Sequence, residues 1–572
     1  MEDKNKKYPQ IWPNIEDWPI YKLHQERKAF VQEIERFTLD RMLRKKPSVV
    51  TDVIAKTIYK EQIRIKEEPW KVDPPNERVF WKKIKNKLMR ESLDQPDEKA
   101  ALANKEILER IIHRYAEEIV GTFRISTFKF ARKFLYFFFT RLLNTAASRN
   151  YKRIWSSKHK LYDKLKVRGE VETVRQLMKK GTLIVAPTHF SNLDSILIGY
   201  ALDEVVGLPS FAYGAGLNLY NSGAAAYYMN RLGAYRVDRR KKNSVYLETL
   251  KTMSNLAIQR GTNSLFFPGG TRARSGALES NLKLGLLGTI VEAQRGIYQS
   301  GKEDKVFVVP LILGYHFVLE AKHLIEQHLR QVGREQYFVS RDGSHSFRLI
   351  VKFIWQLFSK SNEIVLSLGQ PMDVLGNPVD AEGNSYDNYG NKIEVKEYFM
   401  SDDEVTEDIQ RESQYTKALA EKITERYKKD NIVLSSHLVA FAAFEILKYE
   451  NSRLDLYGIL RLPPEDYQFS RDQLREVIGQ LREVLIEMKS KGEIKLSGEV
   501  EGDLENLISQ GIARMGNFHT LDPLMVNKKG QIVSKNFKIL YYYHNRLSGY
   551  QLESKINWGK KQEATTEVSI EG

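Results

Sequence analysis

His189 and Asp194 lie five residues apart in the segment Pro-Thr-His-Phe-Ser-Asn-Leu-Asp, and side chains of these types can move a proton. The apolar run at 183–186 predicts a strand, which places His189 in the loop behind it and Asp194 in the first turn of a helix. We expect Ser191 or Asn192 to cap that helix. A carboxylate beside an imidazole fixes its tautomer, and the imidazole can then accept a proton from an alcohol. Taken alone, the pair also fits a surface histidine with no catalytic role.

A glycine- and arginine-rich segment occupies residues 266–276, Phe-Phe-Pro-Gly-Gly-Thr-Arg-Ala-Arg-Ser-Gly, and continues from a predicted strand at 264–267. Glycines allow close approach of the backbone, and successive amides can form a nest for an anion. Arg272 and Arg274 add charged, fork-like donors suited to a phosphate. The segment is not a Walker loop, because no Gly-Lys-Ser/Thr follows at the required spacing.

Two further segments accompany these. Residues 233–240 read Gly-Ala-Tyr-Arg-Val-Asp-Arg-Arg and are followed by Lys241 and Lys242; such a basic cluster is usually a solvated face. Residues 308–320 begin as an apolar strand, Val-Val-Pro-Leu-Ile-Leu, and continue into a loop.

The order of the four segments resembles that of the glycerolipid acyltransferase superfamily: His-x4-Asp, Gly-x5-Arg, Phe-Pro-x-Gly-x-Arg, and an apolar strand with Val-Pro. The resemblance covers about residues 180–320, and the sequences around the third and fourth segments look most like the glycerol-3-phosphate acyltransferase branch. It implies His189 as the general base and Asp194 as the group that orients it. It also implies a site for glycerol phosphate, shaped by Pro310 and built from Arg239, Gly269, Gly270, Thr271, Arg272, Arg274 and, with looser spacing, Lys283.

Gly269 departs from the family pattern, which has a glutamate at this point of the third segment. If that glutamate contacts substrate hydroxyls, a water molecule or another carboxylate such as Asp238 must replace it here. The developing oxyanion of an acyl transfer needs donors, which we expect among the backbone amides of residues 269–271. The resemblance implies no metal or cofactor, since the acyl thioester is a co-substrate.

The fold expected is α/β: an acyltransferase sheet domain flanked by helical N-terminal and C-terminal regions. Further predicted strands at 306–313 and 364–368 leave room for helical crossovers. We expect a helical region at 1–160, interrupted by prolines at 68–76, and the α/β domain at 161–375. A polar insertion or linker at 376–412, a mostly helical region at 413–559 and a disordered tail at 560–572 complete the prediction.

An aromatic and basic segment at 128–143 contains ten large apolar residues with Lys129, Arg132, Lys133 and Arg141 among them. Its uncharged part is too short to span a bilayer, which needs about 20 apolar residues. It could lie in the headgroup region of a membrane, or pack on the protein's own core. The uncharged stretch 205–230 is too glycine-rich for a membrane helix; it could line an acyl chain or form an ordinary buried segment.

The whole chain of 572 residues carries 89 Lys and Arg against 73 Asp and Glu, a formal charge of +16. This excess suits phosphate substrates, an anionic membrane surface or nucleic acid, but no nucleic-acid-binding motif occurs. Cysteine is absent, which excludes disulfides and cysteine nucleophiles. The charged N-terminus has no apolar core of a signal peptide, so we expect a peripheral protein on the cytosolic face of a membrane.

The predicted function is transfer of a fatty acyl group from acyl-CoA or acyl-carrier protein to glycerol 3-phosphate, in phospholipid biosynthesis. Within the same class, an acyltransferase acting on lysophosphatidate, another lysophospholipid or dihydroxyacetone phosphate is the alternative. From another class, a non-catalytic basic membrane-binding protein with an inactive acyltransferase fold remains possible. We expect glycerol phosphate, the acyl donor and an anionic membrane surface as partners, and no nucleic acid.

Overall fold

A computed structural model describes residues 6–70, 73–91, 97–147, 165–217, 223–332, 364–464, 467–516, 519 and 521–559. The chain divides into two compact units. The first comprises Met1–Arg272, Glu279–Leu313 and Val365–Tyr427; the second comprises Ala273–Leu278, Gly314–Ile364 and Lys428–Gly572. The tail predicted at 560–572 lies outside the described residues.

Helices dominate the N-terminal part of the first unit. After a 3-10 turn at Ile15–Asp17 they are α1 Pro19–Gln25, α2 Arg27–Leu43, α3 Pro47–Glu67, α4 Glu77–Glu91, α5 Asp97–Ile119 and α6 Ile125–Ala147. Helix α5 packs against α2, α3 and α4 because Ile107, Ile111 and Tyr115 recur every four residues and are fully buried. The proline-rich break at 68–76 separates α3 from α4, as predicted.

A seven-stranded sheet forms the centre of the α/β domain among the described residues. Its order is β1-β7-β6-β2-β5-β3-β4. The strands are β1 Leu165–Gly169, β2 Gly181–Pro187, β3 Ala212–Gly216, β4 Ala234–Val237, β5 Ser264–Leu265, β6 Lys305–Tyr315 and β7 Ile364–Leu368. Strands β6, β2, β5, β3 and β4 pair in parallel, so their carboxyl ends meet at one edge of the sheet.

Helices connect these strands, and the predicted α/β fold class with helical flanks is therefore confirmed. They are α7 Val171–Leu177, α8 Asp194–Tyr200, α9 Gly223–Met229, α10 Ser244–Gln259 and α11 Leu284–Gln299, with a π-helical turn at Ala201–Val205. Strand β2 is almost wholly buried, which explains its continuous apolar sequence.

The second unit is built around one buried helix, α14 Ser435–Glu450. Its helices are α12 Ala321–Val332, α14 Ser435–Glu450, α15 Leu456–Leu460, α16 Arg471–Ser490, α17 Gly498–Glu501, α18 Leu504–Gly516 and α19 Phe537–His544. Short strands accompany them: β12 Ile432–Val433, β13 Gln468–Phe469, β14 Lys495–Leu496, β15 Met525–Val526 and β16 Ile532–Val533. Two 3-10 turns, Asn545–Tyr550 and Leu552–Lys555, follow. Every residue of α14 from Ser435 to Leu447 is buried, so this helix is the core of the unit.

Between β7 and α13 (Ile409–Lys429), the first unit contains three turns of sequence Asp-x-x-Gly-Asn, a short repeat that sequence analysis missed. They begin at Asp373, Asp380 and Asp387, seven residues apart. In each turn the aspartate carboxylate accepts the backbone N–H of the asparagine four residues on, and the glycine has a positive φ. The pairs β8 Ser385–Tyr386 with β9 Lys392–Ile393, and β10 Met400–Ser401 with β11 Glu404–Val405, lie in this region, with a 3-10 turn at Val395–Phe399.

Candidate active site

The histidine and aspartate of the first motif are in direct contact at the carboxyl end of β2. His189 Nδ1 lies 2.8 Å from Asp194 Oδ2. That oxygen also accepts the backbone N–H groups of Phe190 at 2.7 Å and Ser191 at 2.9 Å. Because an ionised carboxylate only accepts, Nδ1 carries the proton and Nε2 keeps its lone pair. Asp194 is fully buried and the His189 side chain is 17% exposed, so the pair presents one basic nitrogen to a partly open site.

The surrounding chain fixes the loop that carries His189. Thr188 donates its backbone N–H to Leu311 O at 2.9 Å, and its hydroxyl accepts the N–H of Leu313 at 3.1 Å. The imidazole of His189 stacks on the ring of Phe267, with centroids 4.1 Å apart. The loop is therefore tied to β6, and the ring is held between the aspartate and an aromatic face.

The predicted cap of α8 is wrong in its details. The helix begins at Asp194 and its N-cap is Leu193, with no side-chain cap. Ser191 Oγ instead accepts the N–H of Leu193 at 3.3 Å, inside the loop. Asp194 takes up the nearby amides from the first helical position, which stabilises the tight turn around His189.

Glu279 occupies the space beside Gly269, and sequence analysis missed this residue. A Cβ atom placed on Gly269 would lie 2.7 Å from Oε1 and 3.0 Å from Cδ of Glu279. The same Oε1 accepts the backbone N–H of His189 at 3.1 Å. Asp238, which we had expected as a replacement carboxylate, is buried and binds Arg240 instead. The sequence contains one indication of this role: Glu279 is the sole acidic residue from 266 to 283.

Gly270 and Lys283 lie next to each other. Gly270 has a φ of 76°, which favours glycine, and a Cβ at this position would lie 3.2 Å from Lys283 Cγ. Lys283 donates its backbone N–H to Pro268 O at 2.7 Å, and its side chain is exposed. The N–H of Gly270 donates to Phe267 O at 3.0 Å, so this amide is engaged in the turn.

The three arginines predicted to bind phosphate do not all belong to the same unit. Arg239 is exposed in the turn after β4, three strand spacings or roughly 14 Å along the sheet edge from β2. Arg272, half-buried, and Thr271, exposed, follow Gly270 in the first unit. Arg274 belongs to the second unit, where its Nη1 donates to Gln331 Oε1 at 2.7 Å.

Two other members of the basic cluster, Arg240 and Lys241, are not solvated, whereas Lys242 is exposed. Arg240 binds Asp238, with Nη2 2.7 Å from Oδ2, and also binds Asp73. Lys241 is buried and paired with Glu118. These two cations hold the sheet domain to the N-terminal helices. Arg239 after β4 and Arg272 after β5 are the predicted phosphate-binding arginines that belong to the first unit.

An aromatic surface, formed by Phe130, Phe134 and Phe137 of α6 with Tyr227 of α9, faces solvent. These side chains are 54%, 46%, 57% and 49% exposed. The three phenylalanines are spaced four and three residues apart, so they share one helix face, and Lys129 and Lys133 beside them are exposed. Among the described residues, no helix is both long and apolar enough to cross a membrane.

Comparison with known proteins agrees with this geometry. Residues 164–314 match the family model described as acyltransferase, and this segment contains every strand of the sheet except β7, the His189–Asp194 pair and the glycine-rich segment. The segment is an acyltransferase domain. The match fits the glycerolipid acyltransferase family that the four sequence motifs indicated, and that recognition is confirmed.

Similar curated proteins carry the name glycerol-3-phosphate acyltransferase. The protein of Aeromonas hydrophila is 27% identical over 250 residues, which are 43% of this chain and 27% of the relative. That of Alteromonas mediterranea is 29% identical over 178 residues, 31% of this chain and 20% of the relative. That of Shewanella woodyi is 24% identical over 271 residues, 47% of this chain and 30% of the relative. The chain thus matches less than a third of the length of each of these relatives.

Among solved structures, a 1-acyl-sn-glycerophosphate acyltransferase from Thermotoga maritima aligns with 67% of this chain and 96% of its own. The sequence identity is 15% and the TM-score is 0.24, and a score this low supports no argument.

Proposed function

We propose that this protein is an O-acyltransferase that moves a fatty acyl group from a thioester to a hydroxyl of glycerol 3-phosphate. The observation that carries the proposal is the His189–Asp194 pair, with Nε2 left as a base at the edge of the sheet. The name shared by the curated relatives supports the choice of acceptor.

In the proposed reaction, His189 Nε2 removes the proton from the acceptor hydroxyl as the oxygen attacks the thioester carbonyl. The carbonyl oxygen becomes an oxyanion, and its collapse expels the thiolate, which takes up the proton from the imidazolium. Asp194 stabilises the imidazolium between these steps and keeps the ring in place. Arg239 and Arg272 bind the phosphate of the acceptor in a ternary complex. Acyl-CoA or acyl-carrier protein serves as the donor.

Glycerol 3-phosphate is small and dianionic, so its site needs arginines and polar groups. Lysophosphatidate would need room for an acyl chain on the acceptor as well as on the donor. The arginines after β4 and β5 favour the smaller acceptor, and lysophosphatidate or another lysophospholipid is the second candidate.

We place the protein at the cytosolic face of a membrane as a peripheral protein. The aromatic surface and the exposed lysines beside it suit the headgroup region of an anionic bilayer, because aromatic rings favour the interface and lysines bind lipid phosphates. The acyl product would then be released where phospholipids are made.

The test is an acyl-transfer assay on the purified chain that crosses two donors, acyl-CoA and acyl-carrier protein, with three acceptors. These are glycerol 3-phosphate, lysophosphatidate and dihydroxyacetone phosphate. The expected result is the highest kcat/KM with glycerol 3-phosphate. A tenfold preference for lysophosphatidate, about 1.4 kcal/mol at the transition state, would overturn the acceptor and keep the reaction. No transfer with any pair would instead favour a non-catalytic membrane-binding protein.

A further inference from the structure

A large cleft lies in the first unit between the N-terminal helices and the edge strand β4. Its volume is ≈ 830 Å³, within the range of small-molecule sites. It is lined by the C-terminal half of α5, the chain after it up to Arg124, the Pro74-Pro75 turn and residues 230–236. None of the lining residues belongs to the His189 loop or the glycine-rich segment.

Arginine dominates the lining of this cleft, at six positions: Arg27, Arg110, Arg114, Arg124, Arg231 and Arg236. Three carboxylates also line it, and each already binds a cation: Asp73 binds Arg64 and Arg240, Glu117 binds Arg27, and Glu118 binds Lys241. Glu117 neutralises one lining arginine, Arg27, and Glu118 also pairs with Arg114. Since six arginines face three carboxylates, the cleft still keeps a positive potential suited to an anion.

Arg114 provides a second observation. Its Nε and Nη2 are buried at the cleft, and no hydrogen-bond acceptor reaches them among the described residues. Its guanidinium lies 4.4 Å from the ring of Phe80, and the nearest carboxylate oxygen, of Glu118, is 3.5 Å from Nε. Glu118 therefore offsets the charge of Arg114 but does not accept a hydrogen bond from it, and a ligand oxygen in the cleft would add an acceptor for this guanidinium.

The cleft is also next to the aromatic surface. Arg231 donates to Tyr227 O at 3.2 Å and lies 3.8 Å from the centroid of the Tyr227 ring. Arg124 immediately precedes α6, which carries the exposed phenylalanines. A bilayer that accepts these rings would bring lipid phosphates to the mouth of the cleft.

We propose that this cleft binds the phosphate groups of an anionic ligand, at a site separate from the catalytic histidine. Arginine guanidinium groups recognise phosphate oxygens through paired, charge-assisted hydrogen bonds. The phosphate comes either from phospholipid headgroups or from a soluble phosphorylated compound. The proposal does not depend on the acyl-transfer reaction, since neither His189 nor a substrate is needed to observe binding.

The test uses Arg110→Gln with Arg124→Gln, because both side chains are exposed and their loss should leave the fold intact. The matched control is Arg90→Gln with Lys105→Gln, the same change of charge at exposed positions outside the cleft. Binding of inorganic pyrophosphate is measured by calorimetry. Sedimentation with vesicles of phosphatidylcholine, with and without phosphatidylglycerol, measures lipid binding.

The expected result is about tenfold weaker binding by the cleft variant and less than twofold weaker binding by the control. Weakened binding to anionic vesicles alone identifies a lipid headgroup as the ligand, and weakened binding of pyrophosphate alone identifies a soluble phosphate compound. If cleft and control variants weaken equally, or neither probe binds the unmodified protein, the proposal is overturned.

Discussion

The carboxylate of Glu279 lies where a side chain on residue 269 would begin, and it accepts the backbone N–H of His189 at 3.1 Å. Gly269 and Glu279 therefore form one arrangement: the glycine leaves the space that the glutamate fills. Its effect is to brace the backbone of the histidine that acts as the proposed base. The third motif of the family has a glutamate at this position. Here Glu279, ten residues downstream, brings a carboxylate beside residue 269 instead.

This arrangement predicts coupling between the two residues. Gly269→Ala should lower kcat, because its Cβ displaces the Glu279 carboxylate from the His189 amide. The overpacking itself should cost no more than about 1–3 kcal/mol of folding stability. Glu279→Ala should also lower kcat. In the double variant the clash is absent, so its loss should be smaller than the sum of the two. The readout is a double-mutant cycle on kcat, with melting temperatures to separate folding from activity; strict additivity would show that the contact has no effect.

The base is tested by His189→Ala. Turnover should fall by at least roughly 10²–10⁴-fold with a smaller effect on stability, because the ring stacks on Phe267 and the Asp194 carboxylate keeps its two backbone donors when the imidazole is removed. Asp194→Asn should reduce turnover as well, and should also lower the melting temperature, because a buried acceptor of three hydrogen bonds is altered. The control is His113→Ala, at an exposed histidine of α5. Near-normal turnover of His189→Ala would exclude the mechanism.

Arg239 and Arg240 are adjacent but should respond differently. Arg239→Ala should raise the KM for the acceptor, by the roughly 1.5–3 kcal/mol of a charge-assisted contact, and leave the donor KM unchanged. Arg240→Ala should instead destabilise the fold by about 3 kcal/mol, because Asp73 and Asp238 would lose their shared cation. Steady-state kinetics and denaturant unfolding on both variants make the comparison. A shift of donor KM in Arg239→Ala would assign this arginine to the other substrate.

Membrane binding should depend on the aromatic surface. Phe130→Asp with Phe134→Asp should abolish sedimentation with anionic vesicles while the melting temperature stays near that of the unmodified protein, since both rings are exposed. Tyr59→Asp with Tyr389→Asp, two exposed aromatic residues elsewhere, is the control. Early melting of the phenylalanine variant would mean that this face packs on the protein itself.

His437 should make the second unit sensitive to acid. Burial lowers the pKa of His437 to about 3; its Nδ1 accepts the N–H of Leu434 and its Nε2 donates to Tyr315 O. Between about pH 3 and 6.5 the unfolded chain binds the proton and the folded chain does not. Stability should therefore fall as pH drops through that window, by up to about 1.4 kcal/mol per pH unit.

His437→Gln should reduce this slope, measured as the free energy of unfolding at several pH values, whatever its effect on stability at neutral pH. Part of the slope should persist, because burial also lowers the pKa of His519 to about 3. An unchanged slope in His437→Gln would show that the histidine does not titrate in this way.

The strands that could be predicted are those whose own residues form a continuous apolar run. The predicted runs at 183–186 and 306–313 lie inside β2 and β6, and 364–368 coincides with β7, because continuous apolar runs are typical of strands buried on both faces. The prediction at 264–267 was two residues too long. Strands β3 and β4, Ala-Tyr-Gly-Ala-Gly and Ala-Tyr-Arg-Val, were not predicted, since their small or charged residues form strands only through pairing with neighbours.

For the site, four motifs in order were enough to recognise the family and to select His189 and Asp194, which the structure brings into contact. The contact between Gly269 and Glu279 could not be predicted from the sequence, because residues ten positions apart become neighbours only when the loop folds back. The basic cluster was misjudged for a related reason: whether Arg240 and Lys241 face solvent depends on acids from α5 and the turn before α4.

The three Asp-x-x-Gly-Asn turns divide the segment between β7 and α13 into repeated units of seven residues. Each turn closes a small hairpin, as the pairings Met372 with Pro378 and Val379 with Ser385 show, and consecutive hairpins share a strand, because Ser385 also pairs with Ile393. Loss or gain of seven residues, which is one turn with its two linking residues, would keep every remaining aspartate opposite its asparagine. A change in the length of this segment by whole seven-residue units is therefore the change that its internal hydrogen bonds accommodate.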